Sequence, residues 1–255
     1  VRATTGMEQA MERLSSGLRV NSAADDAAGL SVAGKMESQL RGINMSIRNA
    51  QDGVGLIQTA ESGVNEIRNM VLRMRELAVQ MANGIYEDTP DRNNAQLEVT
   101  ALINQVTLIA ENTRFNDVAL LDGSFTTVNI QAGNTTAETI ELSFVDMASS
   151  GLAIDTVSIA TQSKATTALG TLDSALETIA SEQATMGSLI NRLNFSINNQ
   201  SKASVMTEQA VGRIMDADFA TETTNLSKQQ ILNQAATSML AQANQSKQSI
   251  LALLQ

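Results

Sequence analysis

The chain has 255 residues, a formal net charge of −10, 43% hydrophobic but only 2% aromatic residues, and neither histidine nor cysteine. The last two absences exclude disulfides, thiol nucleophiles, His-based triads and Cys or His metal sites. The 17 Lys and Arg are spread singly, which leaves no basic cluster for nucleic acid, and the acidic balance opposes an anionic membrane surface. With few rings to fill a thick core and a single proline to break helices, the abundant Ala, Leu, Ile and Met predict thin helix-on-helix seams. No apolar run approaches the ~20 residues of a membrane-spanning helix.

Met7, Met11, Leu14 and Leu18 form a short apolar stripe at helical spacing. Gly17 and Asn21 interrupt it near 15–24, and Ser22 followed by Asp25 reads as a capping box opening a helix over about 25–83. Inside that helix Ile43, Ile47, Ala50, Val54, Ile57, Ala60, Val64, Ile67, Val71, Met74, Ala78 and Met81 recur in steps of three and four, the seam of a long coiled coil. Asn83-Gly84 ends it. Asp88-Thr89-Pro90 places proline at the first position of a helix over about 90–111, with Val99, Leu102, Val106 and Ile109 as its stripe.

Val128, Ile130 and Ala132 alternate, as do Ile140, Leu142 and Phe144, around Gly133-Asn134; this predicts a β-hairpin within about 125–146. Residues 146–166 are small and polar and read as loop. A third helix is expected over about 167–207, its seam running Leu169, Leu172, Leu176, Ile179, Gln183, Met186, Ile190, Leu193, Ile197. Asp216, Asp218 and Glu222 suit the start of a last helix by the dipole argument, with the stripe Leu232, Ala235, Met239, Ala243, Ser246, Ile250, Leu253.

The expected fold is mainly α: a long coiled-coil rod formed by the N- and C-terminal halves, with a small β-hairpin in the middle. The first and last stripes lie beyond the rod and would have only each other for cover. Apolar surface of that kind calls for a partner, and the obvious one is another copy of the chain. The polymerisation residues are then Met7, Met11, Leu14, Leu18, Leu232, Met239, Leu240, Ile250 and Leu253.

Other chemistry is weaker. Asp216-Ala217-Asp218 and Asp25-Asp26 supply too few oxygens for Mg²⁺ or Ca²⁺ and read as helix-start acids. Gly53-Val54-Gly55 lacks the third glycine, preceding strand and Lys-Ser/Thr of a phosphate loop, so close helix approach is the better account. The seam methionines read as adaptable packing. No cofactor is expected.

Several blocks resemble bacterial flagellin in content and order. At the N-terminal end stand Arg13-Leu14-Ser15-Ser16-Gly17-Leu18-Arg19 and Asn21-Ser22-Ala23-Ala24-Asp25-Asp26-Ala27-Ala28-Gly29. Asn49-Ala50-Gln51-Asp52-Gly53, Arg75-Glu76-Leu77-Ala78-Val79-Gln80 and Thr113-Arg114-Phe115-Asn116 follow. The C-terminal blocks are Asp216-Ala217-Asp218-Phe219-Ala220-Thr221-Glu222, Ser227-Lys228 and Ala241-Gln242-Ala243-Asn244-Gln245.

The resemblance implies a secreted, extracellular subunit of the flagellar filament, a homopolymer that serves motility. It implies residues 1–24 and 211–255 as an inner-tube domain and residues 25–210 as the rod. It implies unfolded passage through the type III export apparatus, an export chaperone, and cap and hook-associated proteins as partners. It also implies recognition of the free subunit by the flagellin-sensing Toll-like receptor of hosts, through Arg73, Leu77 and Glu98; as bare sequence, Arg73 and Glu98 equally suit solvated helix charges, and Leu77 lies beside the seam. The family's large outer domains are missing between hairpin and third helix, which marks a minimal form, and the family carries a further short segment before Val1, so the chain reads as trimmed at its start. The rival readings are a hook–filament junction protein and a secreted helical translocator. A zinc peptidase, carried by some flagellins in an outer domain, lapses without histidine.

Overall fold

The computed structural model describes residues 2–125 and 127–252, with side chains described at 4–125 and 127–246. In chain order the elements are α1 (Arg2–Ser16), α2 (Ala27–Met81), a π-type turn (Asp88–Arg92), α3 (Asn93–Asn112), β1 (Arg114–Phe115), β2 (Val118–Ala119), β3 (Val128–Gln131), β4 (Thr139–Leu142), α4 (Gln162–Met215) and α5 (Phe219–Ala252). They fall into two compact units, residues 42–202 and residues 1–41 with 203–255.

The larger unit, 42–202, holds one continuous apolar core built from α2, α3, α4, the hairpin and the segment after it. Of the α2 stripe, every member from Ile57 to Met81 is buried, while Ile47 and Val54 are only half-buried. The α4 seam is rotated from the expected one. Leu172, Ile179, Met186 and Leu193 are buried as expected, but Ala168, Ala175, Glu182 and Leu189 are the buried alternates, and Leu169, Leu176, Gln183, Ile190 and Ile197 flank them half-buried. The buried line thus mixes large residues with Ala168, Ala175 and one carboxylate, and Leu169, Leu176, Ile190 and Ile197 pack against its edge.

α4 also exceeds the expected 167–207 at both ends. Thr161 caps its start, accepting from Ala165 N at its carbonyl (2.9 Å) and from Lys164 N at its hydroxyl (3.3 Å). Nothing in the sequence stops the helix before Asp216. α3 starts later than the expected 90. Thr89 is extended (φ −134°, ψ 121°), as the residue before proline prefers, and Pro90 lies in the π-type turn instead.

That turn is fastened by Arg92, which is 4% exposed. Its guanidinium donates to Met81 O (2.9 Å), Asn83 O (2.8 Å), Asp88 Oδ1 (2.9 Å) and Tyr86 O, so one side chain satisfies the free carbonyls at the end of α2 and folds the connection onto it.

The hairpin pairs Val128 with Leu142 and Ile130 with Ile140, antiparallel. A second, minimal ladder joins β1 to β2 through Asn116 and Asp117, both at positive φ (48° and 63°), the residue types that tolerate it. The segment 146–161 is not the surface loop its small, polar composition predicts. Met147, Ala148, Leu152, Ile154, Val157 and Ile159 are buried, and its backbone is held by bonds such as Met147 N to Leu121 O (2.8 Å) and Ile159 N to Gln96 Oε1 (2.6 Å). Apolar residues every two to five positions, without helical or strand period, sealed this face of the core.

The smaller unit consists of α1 packed on α5, the start of α2 and the end of α4. The interruption after α1 is a turn, but Ser22 is not the helix cap. Asp25 Oδ2 accepts from Ser22 N (3.0 Å), Ser22 Oγ (2.9 Å) and Asn21 N (3.3 Å) and closes a loop on itself. The cap of α2 is Asp26, whose Oδ1 accepts from Gly29 N (2.8 Å).

Candidate assembly and recognition surfaces

The residues Gly17 to Arg19 run antiparallel to Met215 to Ala217. Arg19 N donates to Met215 O (2.6 Å), Ala217 N to Gly17 O (3.0 Å), and the Arg19 guanidinium to Ile214 O (2.6 Å). α5 then starts on Asp218, whose carboxylate accepts from Ala220 N (2.9 Å) and the Thr221 hydroxyl (3.0 Å); the hydroxyl above all, then the two backbone N–H groups, hold its pKa below the ordinary aspartate range. The three acids at this end are thus divided. Asp216 sits in the bridge to Leu18, Asp218 caps, and Glu222 pairs with Arg13 (3.1 Å). Among the described residues no group of three acidic side chains is placed to hold a metal ion.

The sequence-predicted polymerisation residues divide by helix. On α1 and just beyond it, Met7, Leu14 and Leu18 are half-buried and Met11 is exposed. On α5, Leu232, Met239 (69%) and Leu240 (63%) are exposed, together with Ile231. The residues of α5 most covered by the unit are instead Glu222, Leu226, Gln229 and Asn233. Ile231, Leu232, Met239 and Leu240 are therefore left uncovered by α1. Ile250 lies in α5 with its side chain outside the described residues, and Leu253 lies outside them altogether.

The structure brings Arg73 and Glu98 together on the surface of the larger unit. Arg73 Nε donates to Glu98 Oε1 (2.9 Å) and Nη1 to Glu76 Oε2 (3.2 Å), and these bonds, Glu98 first, hold the guanidinium firmly protonated. Leu77 is not part of that surface. It is 5% exposed and belongs to the core, because the buried face of α2 is wide enough there to take both Leu77 and Ala78.

Gly53 sits where helix and hairpin meet: a Cβ there would lie 3.3 Å from Ile130 and 3.4 Å from Leu193. Close approach, rather than phosphate binding, accounts for it. Two features gave no sequence signal. Glu182 reads as an ordinary polar helix residue but is 5% exposed, with Oε1 unpartnered; burial raises its pKa above the usual glutamate range, against one hydrogen bond from Val145 N–H. Had the α4 seam been phased on Leu172 and Leu189, the same seven-residue spacing would have put Glu182 inside. Arg92 could have been found only from its place one helix-turn after a chain reversal.

A core of long helices with a small hairpin, and a terminal helix on which Ile231, Leu232, Met239 and Leu240 stand exposed, define a mainly helical chain. The N-terminal helical region of bacterial flagellin matches residues 1–126, and the C-terminal helical region matches residues 169–254. By these matches the chain belongs to the bacterial flagellin family, and flagellin is a structural protein of the flagellar filament.

Flagellin of Halalkalibacterium halodurans is 41% identical over 251 residues, 97% of this chain and 91% of that protein. The flagellar filament 33 kDa core protein of Treponema phagedenis is 39% identical over 264 residues, 97% of this chain and 92% of that protein. The crystal structure of Bacillus cereus flagellin superposes with a TM-score of 0.55 at 32% identity, over 60% of this chain and 88% of that one. No helix among the described residues is long and apolar enough to cross a membrane.

Proposed function

We propose that this filament subunit polymerises through residues 1–24 and 211–255, an inner-tube domain, while residues 25–210 form the outer wall. The observation that carries this is the exposure of Ile231, Leu232, Met239 and Leu240 on α5, which its own chain leaves uncovered. Apolar area of this kind is stabilised by roughly 25 cal/mol per Å² when another copy covers it. The terminal helices order fully on assembly, in the manner of folding on binding. Elongation of filament seeds by the full chain tests this. Met239→Ser with Leu240→Ser should abolish elongation while leaving the thermal unfolding of the subunit unchanged. Seeded growth at the parent rate would reject the assignment.

In this reading the subunit is exported unfolded by the type III apparatus with a chaperone's help and is placed beneath a cap protein. Receptor recognition is a second reading, supported by the exposed Arg73–Glu98 pair, which joins residues 25 positions apart in sequence. The flagellin-sensing Toll-like receptor of hosts would read this face on free subunits. Arg73→Ala should strongly weaken signalling by soluble subunit with an unchanged helical spectrum; unaltered signalling would remove Arg73 from the site. Leu77, being buried, would act by holding the helix face rather than by contact.

A further inference from the structure

We infer that Arg13, Glu222 and Asp25 form a charge clasp that sets the register of α1 against α5. Arg13 Nη1 lies 3.1 Å from Glu222 Oε1, and Nη2 lies 4.0 Å from Asp25 Oδ1. Gln9 Nε2, one turn earlier on α1, also donates to Asp25 Oδ1 (3.1 Å), and Asn225 Nδ2 donates to Glu222 Oε2 (3.4 Å). Glu222 is buried, and so is the Nε of Arg13, which has no partner within the subunit. Arg13 and Glu222 are 209 positions apart, one in each of the two terminal sequence blocks that resemble flagellin. The clasp gives both blocks a common physical task.

The need for it follows from the face α5 presents. Glu222, Leu226, Gln229 and Asn233 include one apolar residue, and Gly6 of α1 lies opposite Gln229, where a Cβ would be 3.0 Å from its side chain. Such a face resists sliding poorly through packing alone. A slide of one turn, ~5.4 Å, would carry Glu222 beyond Arg13 and leave a buried charge unpaired. That is the mechanism by which single polar groups fix register in helix pairs. In one direction no carboxylate replaces it. In the other the nearest is Asp218, already committed to Ala220 N and the Thr221 hydroxyl.

Because the chain contains no cysteine, paired cysteines report the register directly. Gly6→Cys is combined with Gln229→Cys for the observed register, and with Leu226→Cys or Asn233→Cys for registers one turn away. The full chain is oxidised both free and assembled on filament seeds. The 6–229 product should dominate. Arg13→Gln or Glu222→Gln should lower its ratio to the off-register products about tenfold, and Arg13→Lys should restore most of it. Ala10→Gly, which loosens packing at a buried position of α1 without touching the clasp, should leave the ratio unchanged.

An unchanged ratio in Arg13→Gln and Glu222→Gln overturns the clasp. So does absence of the 6–229 product from both free and assembled parent chains. The inference rests on the proposed role of the terminal helices, yet the two fail separately. Normal seeded growth of Met239→Ser, Leu240→Ser with an intact 6–229 product rejects the assembly reading and leaves the clasp standing.

Discussion

Glu182 offers the most direct test of how the larger unit is held together. It occupies a seam position of α4 in step with Ile179, Met186 and Leu189, is 5% exposed, and leaves Oε1 without a partner. Burial raises its folded pKa above the reference value of 4.5, and the single bond from Val145 N–H offsets this in part. A carboxyl whose pKa is raised on folding contributes its full stability below the unfolded pKa and loses it as pH rises through the folded one. As pH rises through the folded pKa the subunit therefore takes on a buried charge, at a cost of about 1–3 kcal/mol, the range for an unsatisfied buried polar group.

Glu182→Gln removes the charge and keeps an oxygen for Val145 N–H. Its unfolding temperature should exceed the parent's at pH 7 by about 2–12 °C, from 2–4 °C per kcal/mol at this chain length. The gap should close as pH falls toward 4.5. Thermal unfolding followed by far-UV circular dichroism at both pH values reads the difference. A variant less stable than the parent at pH 7, or a gap that does not change with pH, would refute the argument.

Three further outcomes follow from the same core. Arg92→Met should cost about 3–5 kcal/mol, the penalty for breaking a buried charged network, and should open 82–91 to limited proteolysis; an unshifted denaturant midpoint would dismiss the clamp. Gly63→Ala would place a Cβ 2.6 Å from Thr113 Oγ1 and 2.9 Å from Leu121 Cδ1, so a loss of about 1–3 kcal/mol from overpacking is expected in denaturant titrations. Gly170→Ala and Gly187→Ala, helical positions with nothing within 4 Å, should instead each stabilise by up to about 1 kcal/mol; destabilisation by either would show that the interior of α4 is closer-packed than described.

What the sequence disclosed, it disclosed through period. The α2 seam and the alternation of β3 and β4 were legible because apolar residues there repeat at the interval of the element itself. The α4 seam is legible in part: period and size pick out Leu172, Ile179, Met186 and Leu193, but not the buried small and polar positions Ala168, Ala175 and Glu182 between them. The segment 146–161 was missed for a related reason. Ile154, Val157 and Ile159 are buried by irregular turns fixed through distant bonds such as that to Gln96, and no local period announces a contact made 63 residues away. Arg73 and Glu98 enter the proposed receptor site through resemblance alone; their pairing across α2 and α3 is a tertiary fact.

The last helix shows why an amphipathic reading and a structural one diverge. Leu232 and Met239 repeat at helical spacing, and a stripe invites the inference that it packs on the nearest helix. Within the subunit the nearest helix meets Glu222, Leu226, Gln229 and Asn233 instead. Under the proposed assembly, α5 gives the face of Glu222, Leu226, Gln229 and Asn233 to its own chain and leaves Leu232 and Met239, exposed in the free subunit, for a second copy.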